Sequence, residues 1–227
     1  MRIDIVTLFP EAVKALLEYS VAGRACKKGL VKFGYLNPRD FARDKHKTVD
    51  DRPYGGGKGM LLMAEPFYKA IKKLKRKNSK VILLSPRGKV FNQEKAKELS
   101  LLKHLILVCA HYEGIDERIS GYIDEEISLG DFILTGGEPA AVCLADAAVR
   151  LVPEVINKDS LKNESFNDGL LEAPQYTRPA VWKRKKVPQI LLSGNHAEIE
   201  KWRKEKSLLL TAERRPDLLE KFKRRKL

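Results

Sequence analysis

The sequence predicts an α/β domain, a mostly parallel sheet with helices on both faces, followed by a small helical C-terminal domain. Three observations carry this. Short β-branched or apolar runs alternate with amphipathic helical patterns through most of the chain, the signature of a sheet built by crossover connections. Glycine-bearing loops follow the apolar runs, where sheets of this kind bind ligands. A polar, Asn/Ser/Asp-rich stretch, residues 156–170, then leads into a tail dense in lysine and arginine. The boundaries that follow are 1–155 for the first domain, 156–168 for a linker and 169–227 for the basic tail domain.

Arg2 to Phe9 is β-branched and opens as a strand, and Pro10 and Glu11 start a helix that would bury Val13, Leu16, Leu17 and Val21. Lys32 to Leu36 reads as a second strand, closed by the Asn37-Pro38 turn. Residues 42–60 show no periodicity and end glycine-rich, which marks a functional or mobile loop. Glu65 to Lys77 is an amphipathic helix, Val81 to Leu84 a buried strand ending at Ser85-Pro86-Arg87-Gly88, and Asn92 caps a helix through Leu99. Leu105 to Cys109 is a buried strand and Glu125 to Ser128 a half-polar one. Glu138 to Leu151 is an apolar helix of small residues suited to close packing. In the tail, helices are expected from His196 to Trp202 and from Pro216 to Phe222.

The net charge of +14 points to a polyanionic partner. From Arg178 to the end, 16 Lys/Arg face 6 Asp/Glu, while the rest of the chain carries 28 against 24, so the tail is the electrostatic footprint. Three cysteines, odd in number and far apart, form neither a disulfide framework nor a zinc pattern, which fits a cytoplasmic protein. Ile3 to Phe9 is too short for a signal-peptide core, and no apolar run reaches transmembrane length, so no membrane is expected.

Gly55-Gly56-Gly57-Lys58-Gly59 is not a P-loop, because Arg52 and Gly59 stand where that motif needs Gly and Ser/Thr. A mobile, cationic loop near a nucleic-acid backbone is the better reading. No G-x-G-x-x-G follows the first strand, and His46, His104, His111 and His196 lack metal-ligand spacing. What remains is three loops after three strands, Leu84–Gly88, Ala110–Gly114 and Leu129–Gly137. The Ile, Leu and Phe side chains of the last loop can line an apolar slot there.

These loops and strings elsewhere carry a resemblance. TLFP, NPRDF, TVDDRPYGGGKGM, LSPRG, YEGIDER, EEISLGDFILTGGE, SFNDGLLEAPQYTRP, LLSGNHAEIEKWR and RRPDLLE together resemble the TrmD family, the bacterial tRNA (guanine-N1)-methyltransferases of the SPOUT superfamily. The resemblance covers almost the whole chain. It implies a deep trefoil knot, an exception to unthreaded topology, a homodimer, and S-adenosyl-L-methionine bound within the knot loops. The donor contacts it implies are Leu84, Ser85 and Pro86; Ala110, Tyr112, Glu113 and Gly114; and Ser128, Leu129, Gly130, Asp131, Phe132, Ile133, Leu134, Gly136 and Gly137.

The substrate implied is the guanosine just 3′ of a tRNA anticodon, guanosine 37. Glu164 occupies the family's aspartate position as general base for N1, with Asp168 the fallback. Arg150 would stabilise charge on guanine O6, and Glu113 would pair with the base edge. Mg²⁺ enters only through the family, with no metal site legible. Ala110 stands where the family has glycine, which would modulate donor affinity, and the linker is expected to order on RNA binding. A non-catalytic RNA-binding protein and a ribosomal RNA methyltransferase are the competing readings, separable by donor affinity and by substrate assays.

Overall fold

A computed structural model describes residues 1–162 and 164–224. Asn163 of the expected linker and Arg225 to Leu227 of the basic tail lie outside the described residues. The chain divides into two compact units, Met1–Ile156 and Asn157–Leu227.

In the first unit the elements run β1 (Arg2–Val6), α1 (Pro10–Leu17), α2 (Ser20–Lys27), β2 (Lys32–Leu36), β3 (Asp50–Asp51), β4 (Leu61–Leu62), α3 (Ala64–Leu74), β5 (Ser79–Val90), α4 (Gln93–Ser100), β6 (His104–Cys109), β7 (Glu125–Ser128) and α5 (Glu138–Val149). Five strands form one all-parallel sheet in the order β2-β1-β6-β5-β7. Both faces are apolar, as a sheet covered on both sides requires. Ile3, Ile5, Ile82, Leu84, Leu105, Leu107 and Cys109 pack with α1, α2, α4 and α5. Val6, Val81, Leu83, Ile106 and Val108 pack on the other face against Phe67, Ala70 and Ile71 of α3. The i, i+3, i+4 spacing of those three α3 residues is what turns one helical stripe inward. Asn92 caps α4 as expected, its side chain accepting from Lys95 N at 2.9 Å.

The expected α1 is two helices, because Ser20 takes a φ of 52°. Within the first of them Val13 and Leu17 turn inward, and Leu16 is 63% exposed. The second departure is larger. Residues Ser85–Gly88 lie inside β5, whose register against β7 shifts between Leu84 and Lys89. Pro86 is tolerated at such a bulge. A side chain at Gly88 would collide with the Glu126–Ile127 backbone, so only glycine lets the two strands approach there.

The second unit contains α6 (Lys158–Lys162), a two-stranded hairpin of β8 (Val181–Trp182) and β9 (Lys185–Lys186), α7 (His196–Arg214) and α8 (Pro216–Arg224). Lys183 and Arg184 turn the hairpin with positive φ of 44° and 64°, as a two-residue loop between twisted strands demands. Asn195 caps α7, which runs twelve residues beyond the Trp202 expected as its end.

Candidate active site

The carboxyl ends of β5, β6 and β7 open into a cavity of about 660 Å³. Every residue expected to hold the donor lines it except Gly130 and Asp131. Those two shape the third loop instead. Ser128 Oγ donates to Gly130 O at 3.0 Å and accepts from Gly130 N at 3.1 Å, which folds the chain back on itself. The turn leaves Phe132, Ile133 and Leu134 with 55%, 82% and 41% of their surfaces exposed, an apolar slot that none of the described residues covers. Burying such side chains against a flat heterocycle is worth roughly 1.5 kcal/mol or more each when complete.

The back wall is backbone. Gly137 N donates to Ala110 O at 2.8 Å, and His111 and Gly136 form an isolated antiparallel bridge. A Cβ at Gly137 would lie 2.8 Å from Cys109 Cα and 3.0 Å from Ala110 N, so the third loop reaches the second only because that position is glycine. Cys109 lies beneath this junction, and burial, with Glu138 adding to it, pushes its thiol well above the usual range. It is chemically quiet.

Sequence reasoning missed a polar shelf at the cavity wall. His111 Nε2 lies 2.6 Å from Glu138 Oε2, and Thr7 Oγ1 donates to Glu138 Oε1 at 2.6 Å. Phe9 packs on the His111 ring with centroids 5.0 Å apart. His111 read as a singleton because its partner is 27 residues away in sequence; only the fold makes the pair. Arg87 was also passed over. It lines the cavity and bridges Glu117 at 2.8 Å and Glu126 at 3.2 Å, with Glu117 the main cause of its raised pKa.

Glu113 is at the cavity rim, its amide donating to Met60 O at 3.1 Å. A side chain at Gly59 would strike the Glu113 carboxylate, so the glycine-rich loop passes directly beside it. Arg150 is elsewhere: it is the C-cap of α5, whose N-cap is Gly137. A helix of this length puts roughly 18 Å between its ends, so one chain does not bring Arg150 to the cavity. Glu164 and Asp168 belong to the second unit. Glu164 is partly buried, with its carbonyl accepting from Asn167 N at 3.2 Å, and Asp168 Oδ1 accepts from Leu170 N at 3.1 Å.

The sequence that builds this cavity has counterparts in known proteins. The family model described as tRNA (Guanine-1)-methyltransferase TrmD matches residues 1–221. The chain belongs to the TrmD family. A tRNA (guanine-N(1)-)-methyltransferase of Dictyoglomus turgidum is 55% identical over 222 residues, covering 97% of this chain and 91% of the relative. Proteins of the same name from Clostridium botulinum and Clostridium perfringens are each 54% identical over 225 residues, 98% of this chain, and 93% and 95% of their own lengths. Membership of the TrmD family makes the chain a methyltransferase that acts on N1 of guanine in tRNA. Among the described residues no cluster of three His, Cys, Asp or Glu side chains is placed to hold a metal ion, and no helix is long and apolar enough to cross a membrane.

Proposed function

We propose that this chain uses S-adenosyl-L-methionine as donor and methylates guanosine 37, just 3′ of the tRNA anticodon, working as a cytoplasmic homodimer with a deep trefoil knot in its first unit. The observation that carries this reading is the cavity itself. Its volume suits a nucleoside-sized ligand, its apolar side is the Leu129–Leu134 slot, and its polar side is backbone and the His111–Glu138 shelf. Residues Leu84, Pro86, Leu129, Ile133 and Leu134 fit an adenine, and the Ala110–Gly114 and Gly136–Gly137 backbones fit a ribose and an amino-acid moiety.

When bound, the donor supplies a methyl group on a positively charged sulfur, open to in-line attack. The protein's task is to make guanine N1 a nucleophile beside it. Glu164 takes the N1 proton as general base, with Asp168 the alternative carboxylate. Arg150 holds the negative charge that then spreads to O6, and Glu113, at the rim, accepts from the base edge. A second subunit gives Arg150 a route to a cavity it does not reach within its own chain. Within this reading residues 1–155 bind the donor, 156–168 carry the base, and 169–227 hold the RNA. Any Mg²⁺ that takes part would complete its shell with water and RNA oxygens, since dedicated all-protein cages are not its habit.

The test is transfer of labelled methyl to an unmodified tRNA transcript, beside a transcript with adenosine at position 37. Methylation of the first alone is expected. Glu164→Gln should then cut kcat by about 10²–10⁴ with donor affinity intact. A Glu164→Gln enzyme at full rate, with Asp168→Asn inactive, would move the base to Asp168.

A further inference from the structure

Beside the donor cavity, sharing Leu61 with it, lies a second cavity of about 550 Å³. Three tyrosines line it. Tyr54 is fully exposed, Tyr122 is 44% exposed, and Tyr122 packs against Tyr68 with ring centroids 4.6 Å apart. Arg52 and Arg118 stand at its walls beside Asp51, Glu65 and Asp116, with Arg118 paired to Asp116, so the cavity offers rings for a base and leaves the phosphates to cations elsewhere. Tyr68 is also the start of something else. Lys72 Nζ sits 5.6 Å from its ring centre, and Lys73 Nζ sits 5.4 Å from that of Phe41. A basic ridge therefore runs from the cavity along α3 and past its end.

Six cations lie between Lys69 and Lys77. Two have carboxylate partners: Lys69 with Glu65 at 3.2 Å and Lys75 with Asp124 at 3.6 Å. Lys72, Lys73, Arg76 and Lys77 are all exposed, and none has a carboxylate within 4.0 Å among the described residues. Aromatic rings hold the first two ammonium groups without neutralising them. The helix dipole accounts for lysines in the last turn. It does not account for Arg76 and Lys77, which follow the end of α3 at Leu74. Sequence composition concealed the ridge, because the body of the chain is nearly balanced in charge as a whole.

Stacking rings joined to an unpaired basic track is how proteins hold single-stranded nucleic acid, the rings taking bases and the cations taking phosphates. We propose that this cavity and ridge are a second RNA-binding surface on the catalytic unit, in addition to the basic tail. It takes one unstacked base among Tyr54, Tyr68 and Tyr122, and the following phosphates along Lys72, Lys73, Arg76 and Lys77. The inference rests on the tRNA reading above and adds a substrate path to it.

The test combines Lys72→Gln, Lys73→Gln, Arg76→Gln and Lys77→Gln in the full chain, with the thermal midpoint checking that it folds. Binding of a tRNA transcript is measured between roughly 50 and 200 mM salt. The dissociation constant should rise about tenfold or more at the low end, and the log–log salt slope should become shallower by roughly 3. Tyr122→Ala should separately raise KM for tRNA about fivefold or more. Binding and slope matching the unmodified chain would overturn the proposal, as would a loss confined to anionic vesicles, which would make the ridge a membrane contact. An unmodified chain that methylates no tRNA defeats the reading above instead.

Discussion

The two ends of the central sheet are made by the same strands and treat their polar groups in opposite ways. At the amino edge, Asp4 is buried to 1% exposure and accepts from Arg2 Nε at 2.6 Å and Nη2 at 2.8 Å. His104 Nε2 meets the same carboxylate at 2.7 Å, while its Nδ1 lies 2.7 Å from Ser79 Oγ, which in turn accepts from Arg76 N. Every polar group in this chain of contacts has a partner within 2.8 Å. At the carboxyl edge, Phe132, Ile133 and Leu134 are left uncovered and glycines keep the floor open. One edge is closed upon itself and the other is completed by what it binds. Stability and binding are thereby assigned to opposite edges of one sheet.

Breaking the closed edge should have the largest effect. Asp4→Ala leaves Arg2 and His104 without their carboxylate and should remove about 3 kcal/mol or more at neutral pH, read from urea midpoints. Donor affinity should barely move; a collapse of affinity in a variant that still folds would show the edges coupled. Gly137→Val attacks the open edge. Its Cβ would press on Cys109 and Ala110, and an overpacking cost near 3 kcal/mol corresponds to about a hundredfold in donor affinity, measured by calorimetry. Affinity retained within a few-fold would mean the loops can move apart.

The smallest effect lies between the two cavities' rims. The Arg118 guanidinium, 2.5 Å from Asp116, holds that carboxyl down to about 2. Because the folded value is depressed, its stabilisation is present above roughly pH 4 and is lost as pH falls toward 2. Asp116→Asn should cost under about 1 kcal/mol at pH 6, and its urea midpoint should converge with that of the unmodified chain near pH 2. A gap that persists in acid would show that the loss does not come from the ion pair.

The sheet was legible because its central strands are short apolar runs with both faces buried, as at His104–Cys109; the less buried Lys32–Leu36 and Glu125–Ser128 also stand where the pattern put them. The residues that line the three-loop cavity were legible through glycines and through family strings. What could not be read depends on contacts across the fold. Ser85–Gly88 looked like a loop because Pro and Gly punctuate it, yet the Glu126 backbone holds it in a bulged strand. Leu16 fitted the apolar stripe, yet α1 turns Val13 and Leu17 inward and leaves it outside. The Thr7–Glu138–His111 shelf joins residues 131 apart at its ends of the chain order, beyond any local pattern.

The strand order also sets a timetable for synthesis. β1 pairs with β2 on one side and with β6 on the other, and the Asp4–His104 contact spans 100 residues. A chain emerging amino end first can form the β1–β2 pair early, but the other flank of β1 waits until Cys109 has left the ribosome. Ile3 and Ile5 spend that interval beside an open strand edge, the kind of surface that nascent chains and chaperones meet. The time taken to synthesise the first 109 residues therefore sets how long that edge stays open.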